Sequence, residues 1–314
     1  MRRVLLILLC AILVFAFLTG CSASNVSSQK NSIQVVASIF PIYDWSREIL
    51  CDDSPIQLEL LLNQGVDMHS YQPTASDIVK ISSCSLFLYV GGESDSWVKD
   101  VLSQNASSES IALLSVLENN LHEEVIVEGM QTEHEEESAW DEHVWLSLKN
   151  AMTCCSALCD AFCRLDPDRS NVYQKNLSVY LEKIRTLDEE YRSVVSSSDL
   201  NTILFADRFP FRYLTEDYHL QYFAAFSGCS AETEASFETV VFLANKVDEL
   251  ELPVILQLED SDGTLANTVR NNTSLKNQKI LSMNSMQSLL ASDSLHYLDI
   301  MKNNLDVLKQ ALQK

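Results

Sequence analysis

From residue 33 onward, short apolar runs alternate with longer stretches in which apolar residues recur every three or four positions. Four runs, 34–39, 57–62, 86–90 and 111–114, have the length and Val/Ile/Leu content of buried strands, and four more follow at 202–205, 220–226, 254–258 and 279–281. Helical stretches, such as 236–249 and 295–313, lie between and after them. Such alternation is the pattern of parallel sheets covered by helices, because a parallel pair needs a crossover connection. Two α/β lobes are expected, with no sequence repeat evident between them. The strongest helical pattern separates the two sets: Tyr173, Leu177, Tyr180, Ile184, Leu187, Tyr191 and Val194 step by three or four. Asp166 is placed to cap this helix and Pro167 suits its first position. Running to about Ser196, it would span roughly 45 Å at 1.5 Å per residue. A single long helix makes a stiff joint between lobes. The expected division is 33–165 for the first lobe, 166–198 for the linker helix and 199–314 for the second lobe.

The first 32 residues follow another pattern. Arg2 and Arg3 precede an apolar run from Val4 to Phe17, and Leu18-Thr19-Gly20-Cys21 follows it. The run is shorter than the roughly 20 residues of a spanning helix, and its ending resembles a lipobox. That likeness implies a signal peptide over residues 1–20, cleavage before Cys21, and a lipid on Cys21 that holds the protein on the outer face of the cell membrane. Residues 22–32, rich in Ser, Asn, Gln and Lys, read as a flexible tether.

The chain carries 22 Lys and Arg against 44 Asp and Glu, a net charge of −22, and loss of residues 1–20 removes two Arg and no acid, leaving −24. A surface so acidic repels nucleic acid. Beyond Cys10 and Cys21, seven cysteines remain. Cys155, Cys159 and Cys163 recur every four residues beside Cys154, along one stripe of a helix. One straight helix cannot wrap a tetrahedral ion, so the stripe reads as a buried face of small apolar side chains rather than a thiolate site.

Two of the six histidines stand in distinctive settings. His69 lies in Gly65-Val66-Asp67-Met68-His69-Ser70-Tyr71-Gln72-Pro73-Thr74, after a strand and before a helix. His143 lies in Asp141-Glu142-His143-Val144-Trp145-Leu146-Ser147, before another helix. Both are at strand-to-helix edges, where α/β folds place ligands. Imidazole nitrogens suit zinc, at about 2.0–2.1 Å, and their second nitrogens need a partner that fixes the tautomer. Two such groups make half a tetrahedral site.

At these residues the chain resembles the metal-binding lipoproteins of zinc and manganese ABC importers, sometimes called cluster A-I. The likeness runs from about Ile33 to the C-terminus. Besides the two His loops it includes Ala37-Ser38-Ile39-Phe40-Pro41-Ile42-Tyr43, Gly91-Gly92-Glu93 with Trp97, Asp166-Pro167 with Tyr173 and Asn176, and Tyr297 with Met301-Lys302-Asn303-Asn304-Leu305. It implies two lobes joined by a rigid helix, one metal held in the cleft between them by ligands from both, and delivery to an ABC permease and its ATPase by a monomeric lipoprotein. His69 and His143 match the two histidine ligands of the first lobe.

The second-lobe ligands depart from the family pattern. In Phe205-Ala206-Asp207-Arg208-Phe209-Pro210-Phe211, the position of a His or Glu ligand holds Arg208, which has no lone pair to give. Asp207 is one candidate ligand if the loop shifts by a residue; the alternative is that Asp207 caps a helix and Arg208 pairs with an acid in the cleft. Where relatives carry a His-Ser pair, this chain has Met283-Asn284-Ser285-Met286, with Asn284 a weak oxygen donor. Glu234 and Glu259 are possible substitutes. His122 and His134, among acidic residues at 121–124 and 133–137, form a thin version of the metal-collecting loop of zinc-specific relatives, or else a solvated acidic loop. His219 and His296 read as surface or packing residues. Histidine with few carboxylates leans toward Zn2+, with Mn2+ the alternative. A surface adhesin remains a second reading; a zinc hydrolase is a third, although no His-Glu-x-x-His helix is present.

Overall fold

The computed structural model describes residues 32–314 except 64, 104–108, 132–139, 231–233 and 293. Cys21, with the signal-peptide and tether assignments up to residue 31, and His134 lie outside the described residues. No helix among the described residues is long and apolar enough to cross a membrane.

In the first lobe, β1 (Ile33–Ala37), β2 (Ile56–Leu60), β3 (Leu86–Tyr89) and β4 (Glu109–Ala112) form one parallel sheet in the order β2-β1-β3-β4. Helices α1 (Phe40–Ile49), α2 (Ala75–Ser83), α3 (Trp97–Ser103) and α4 (Leu113–Val116) connect and extend it. Then α5 (Leu148–Leu165) leads into the long helix α6 (Ser170–Ser196). The second lobe repeats the arrangement: β5 (Thr202–Phe209), α7 (Arg212–Tyr218), β6 (Gln221–Ser227), α8 (Phe237–Glu249), β7 (Val254–Leu258), α9 (Thr264–Asn272) and β8 (Lys279–Met283). Its parallel sheet runs β6-β5-β7-β8, and α10 (Tyr297–Ala311) closes the chain. The two sheets share one topology although their sequences show no repeat. For the inner strands burial on both faces explains this: there the constraint is only continuous apolarity, as in β7 with all five residues buried, and many sequences meet it.

Helix α6 buries Tyr173, Tyr180, Ile184, Leu187 and Tyr191, the stripe read from the sequence. One end packs on α1 and α5, the other on α7 and α10. Tyr191 donates from its hydroxyl to the carbonyl of Met301, at 2.6 Å. The start differs from expectation. Residues Pro167–Arg169 form a 3-10 turn, and Asp166 makes no side-chain cap; its Oδ2 instead accepts the Tyr173 hydroxyl at 2.8 Å. A 27-residue helix extends about 40 Å.

The main core runs through both lobes, from Val35 in β1 to Leu312 after α10, and a smaller cluster fills the outer side of the second sheet. Cys154, Cys155 and Cys159 lie on the buried face of α5 with at most 1% exposure, in the packing role expected. Bonds also tie the lobes directly: the Trp145 indole N–H donates to Ser285 O at 2.8 Å, and the Tyr297 hydroxyl donates to Trp145 O at 2.7 Å.

Candidate metal centre

The His69 loop is held at both ends. Asp67 Oδ1 accepts the His69 N–H at 3.0 Å, at the start of a 3-10 turn over Met68–Ser70. Five residues on, Thr74 and Asp77 form a reciprocal capping box that starts α2. His143 precedes a second 3-10 turn, Val144–Leu146, and a single oxygen, Asp141 Oδ1, accepts both its backbone N–H (2.9 Å) and its ring Nδ1–H (2.8 Å). His143 is fully buried and Asp141 is 1% exposed.

These constraints bring the rings together. His69 Nε2 and His143 Nε2 are 3.1 Å apart. Two nitrogens each about 2.0–2.1 Å from one tetrahedral ion would be about 3.3 Å apart, so the pair is already spaced for a shared cation. Each Nδ1 has an outer partner: Asp141 for His143, and the Ser94 hydroxyl, at 2.8 Å, for His69. Protonated at Nδ1, both rings present a lone pair at Nε2. Behind Ser94, whose N–H donates to Glu142 Oε1 at 2.8 Å, the second oxygen of Glu142 is buried without a hydrogen-bond partner and lies 3.8 Å from His69 Nδ1.

The charge states of the rings differ. Burial, and then the neighbouring His143, push His69 down to about 3. Burial acts in the same sense on His143, yet the Asp141 carboxylate, with Glu142 behind it, outweighs it and holds this ring above the ordinary 6.5.

From the second lobe, two groups converge on the rings. The amide nitrogen of Gln287 lies 2.6 Å from His143 Nε2 and 3.1 Å from His69 Nε2, so its two N–H bonds meet the two lone pairs. Cys229, just after β6, places its sulfur so that His69, His143 and Cys229 each offer a donor atom within 4.8 Å of the others, the one group of three metal-ligating side chains among the described residues.

The other second-lobe candidates are placed elsewhere. Strand β5 continues past residue 205 to Phe209 through a bulge, so Asp207 and Arg208 belong to the strand end rather than a loop. Asp207 caps no helix: Oδ1 accepts the Arg208 N–H at 2.8 Å and Oδ2 accepts the Leu258 N–H at 3.0 Å. Arg208 does pair with an acid, Asp67, at 3.0 Å. Asn284 Oδ1 accepts the Met286 N–H, and both oxygens of Glu259 are engaged by Ser285. Glu234 is exposed on the wall of a cavity of about 890 Å3 that also meets Asp67, His69, Arg208 and Gln287. His122 leans on the Tyr213 ring, centroids 5.1 Å apart, and its N–H donates to that hydroxyl. His219 is exposed at the end of α7, and His296 starts α10 beside Glu48.

The family model described as zinc-uptake complex component A, periplasmic, matches residues 35–311. The chain belongs to that family. Among curated relatives, the high-affinity zinc uptake system protein ZnuA of Bacillus subtilis is 26% identical over 311 residues, 96% of this chain and 95% of the relative. The Zn(II)-bound ZnuA-like domain of Streptococcus pneumoniae AdcA superposes with a TM-score of 0.72 at 25% identity, over 90% of this chain and all of that one. A Mn-bound periplasmic metal-binding protein of Candidatus Liberibacter asiaticus shares the fold, with a TM-score of 0.71 at 21% identity over 89% of this chain and 99% of that one. The zinc-uptake family accounts for the two-lobe frame and the long helix.

Sequence reasoning missed Cys229 and Gln287. Cys229 stood alone outside any motif, and Gln287 lies one residue past the segment weighed for the last ligand. The available signal was position: Cys229 follows the carboxyl end of a predicted parallel strand, the ligand edge of such sheets.

Proposed function

We propose that this protein captures Zn2+ between its lobes, with His69 Nε2 and His143 Nε2 as the imidazole ligands, and passes it to an ABC permease driven by its ATPase. The observation that carries this reading is the 3.1 Å separation of two lone-pair nitrogens whose opposite ring nitrogens are both engaged. An arriving cation replaces the two Gln287 N–H contacts, and a half-turn of that amide faces its oxygen to the ion. Imidazole-rich coordination favours Zn2+ over Mn2+, which prefers hard oxygen donors. Asp207 and Glu234 do not join the two rings in a three-donor group, and Asp207 and Asn284 already accept backbone N–H bonds.

Chemistry on the ion is not part of this proposal. Glu142, the residue a hydrolase would need as base, has one oxygen on Ser94 N–H and faces the Nδ1 side of His69, away from the paired lone pairs. A lipid on Cys21 would hold the monomer at the outer membrane face, and His122 with His134 would gather ions near the cleft.

The chain purified without added metal should bind one Zn2+, and His69→Ala and His143→Ala should each weaken it by more than about 100-fold, beyond the 10–100-fold range of outer-partner losses. Titration against a chelating dye reads this directly. Unchanged zinc binding in the double variant would refute the proposal.

A further inference from the structure

We infer that Cys229 is a thiolate ligand of the same ion and makes the site selective for thiophilic cations. This deepens the zinc-capture reading and rests on it. The second lobe must complete the shell, and apart from the neutral Gln287 amide its candidate oxygen donors are committed, Asp207 to two backbone N–H groups, Glu259 to Ser285 and Asn284 to Met286, while Arg208 has no lone pair to give. Among the described residues the Cys229 sulfur is the ionisable second-lobe donor that joins the two rings, within 4.8 Å. It is a free thiol, as are the other six described cysteines, none of which joins this group.

The backbone is shaped to deliver it. A Cβ on Gly228 would stand 2.9 Å from His143 Cε1, 3.1 Å from His143 Nδ1 and 3.0 Å from Phe209 O, so the chain before Cys229 lies directly on the His143 ring. Glu124 Oε1 then accepts the Cys229 N–H at 3.0 Å and fixes the residue from the other side. With bonds of about 2.3 Å to sulfur and 2.0–2.1 Å to nitrogen, a tetrahedral ion would hold sulfur and nitrogen about 3.5 Å apart. The sulfur is already within 4.8 Å of a donor nitrogen of each ring, so the approach still needed is small. As the sulfur–metal bond forms, the thiol proton leaves to solvent. The resulting anion offsets one charge of the ion and suits Zn2+ far better than Mn2+.

Co2+ is the probe. The full chain should take up one Co2+ with both the visible bands of a tetrahedral ion and an intense near-ultraviolet sulfur-to-cobalt charge-transfer band, and Zn2+ should displace it. Cys229→Ser should abolish the charge-transfer band and weaken Zn2+ by more than about 100-fold, with Mn2+ changed by about threefold at most. Bound Zn2+ should also protect Cys229 from alkylation in the unmutated chain, a readout independent of any variant's folding. Cobalt bound with visible bands but no charge-transfer band, or Cys229 alkylated as fast with Zn2+ as without, would overturn the thiolate while leaving zinc capture standing. Failure to bind either ion would bring down both.

Discussion

Replacing Asp141 with Asn separates the two things this carboxylate does for His143. Asp141 Oδ1 accepts both the backbone N–H and the ring Nδ1–H of His143, and asparagine keeps an oxygen there, so the ring should stay in place while the charge is lost. The first effect is a weaker donor at Nε2. Outer partners of metal-bound histidines are worth 10–100-fold in affinity, about 1.4–2.7 kcal/mol, and a carboxylate with 1% exposure should act at full strength. The second effect has the opposite sign. A proton on His143 competes with the cation, and because its pKa is held above 6.5, binding weakens as pH falls through that value. At about pH 5.5 the unmutated protein should have lost at least about tenfold for this reason. His69, with its pKa pushed down to about 3, adds no competing proton in this window. Without the Asp141 carboxylate, burial is opposed only by Glu142 and Glu124, and the ring is neutral to lower pH. The Asp141→Asn deficit should therefore be 10–100-fold near pH 7.5 and shrink by up to about tenfold at pH 5.5. Competition titrations with a chelating dye at both pH values measure it. A deficit that does not change with pH, or none at pH 7.5, would refute this account of how His143 is tuned.

Gly228→Ala introduces a methyl group 2.9 Å from His143 Cε1 and 3.0 Å from the Phe209 carbonyl, and should lower zinc affinity by at least about tenfold while the far-ultraviolet circular dichroism is kept; full affinity would mean that the loop before Cys229 can move aside freely. Asp95, which accepts the N–H groups of Val90 and Gly91, is pushed up to about 6 chiefly by burial. Its folded pKa exceeds the ordinary 3.8, so its charged form is penalised and its contribution to stability falls as pH rises from about 4 to about 6, by about 3 kcal/mol. Urea denaturation of Asp95→Asn should lack this fall relative to the unmutated chain; parallel curves for the two proteins across that range would count against it.

The local code was legible along most of the chain. Continuous apolar runs marked strands because parallel strands buried on both faces tolerate little else, and a three-to-four step marked α6 because one helical stripe must meet the core. His69 and His143 could be picked out as candidate ligands because each stands in a distinctive loop at a strand-to-helix edge, and bonds to neighbours only two residues away, Asp67 and Asp141, hold those loops. Boundaries governed by competing partners were less legible: Asp166 gives its oxygen to Tyr173 instead of the helix start, and the bulge that extends β5 through Asp207 depends on the Leu258 N–H of a different strand.

Which groups meet the two histidines was decided in three dimensions. Gln287 lies 218 residues from His69 and 144 from His143, and no local pattern records that they meet. Arg208 is spent on Asp67, 141 residues away, a pairing that no local pattern records. Periodicity and short-range bonds therefore determined the elements and the two histidine loops, since both act within a few residues. Packing of one lobe against the other decided which second-lobe side chains meet the two rings, because that depends on which groups are already satisfied elsewhere.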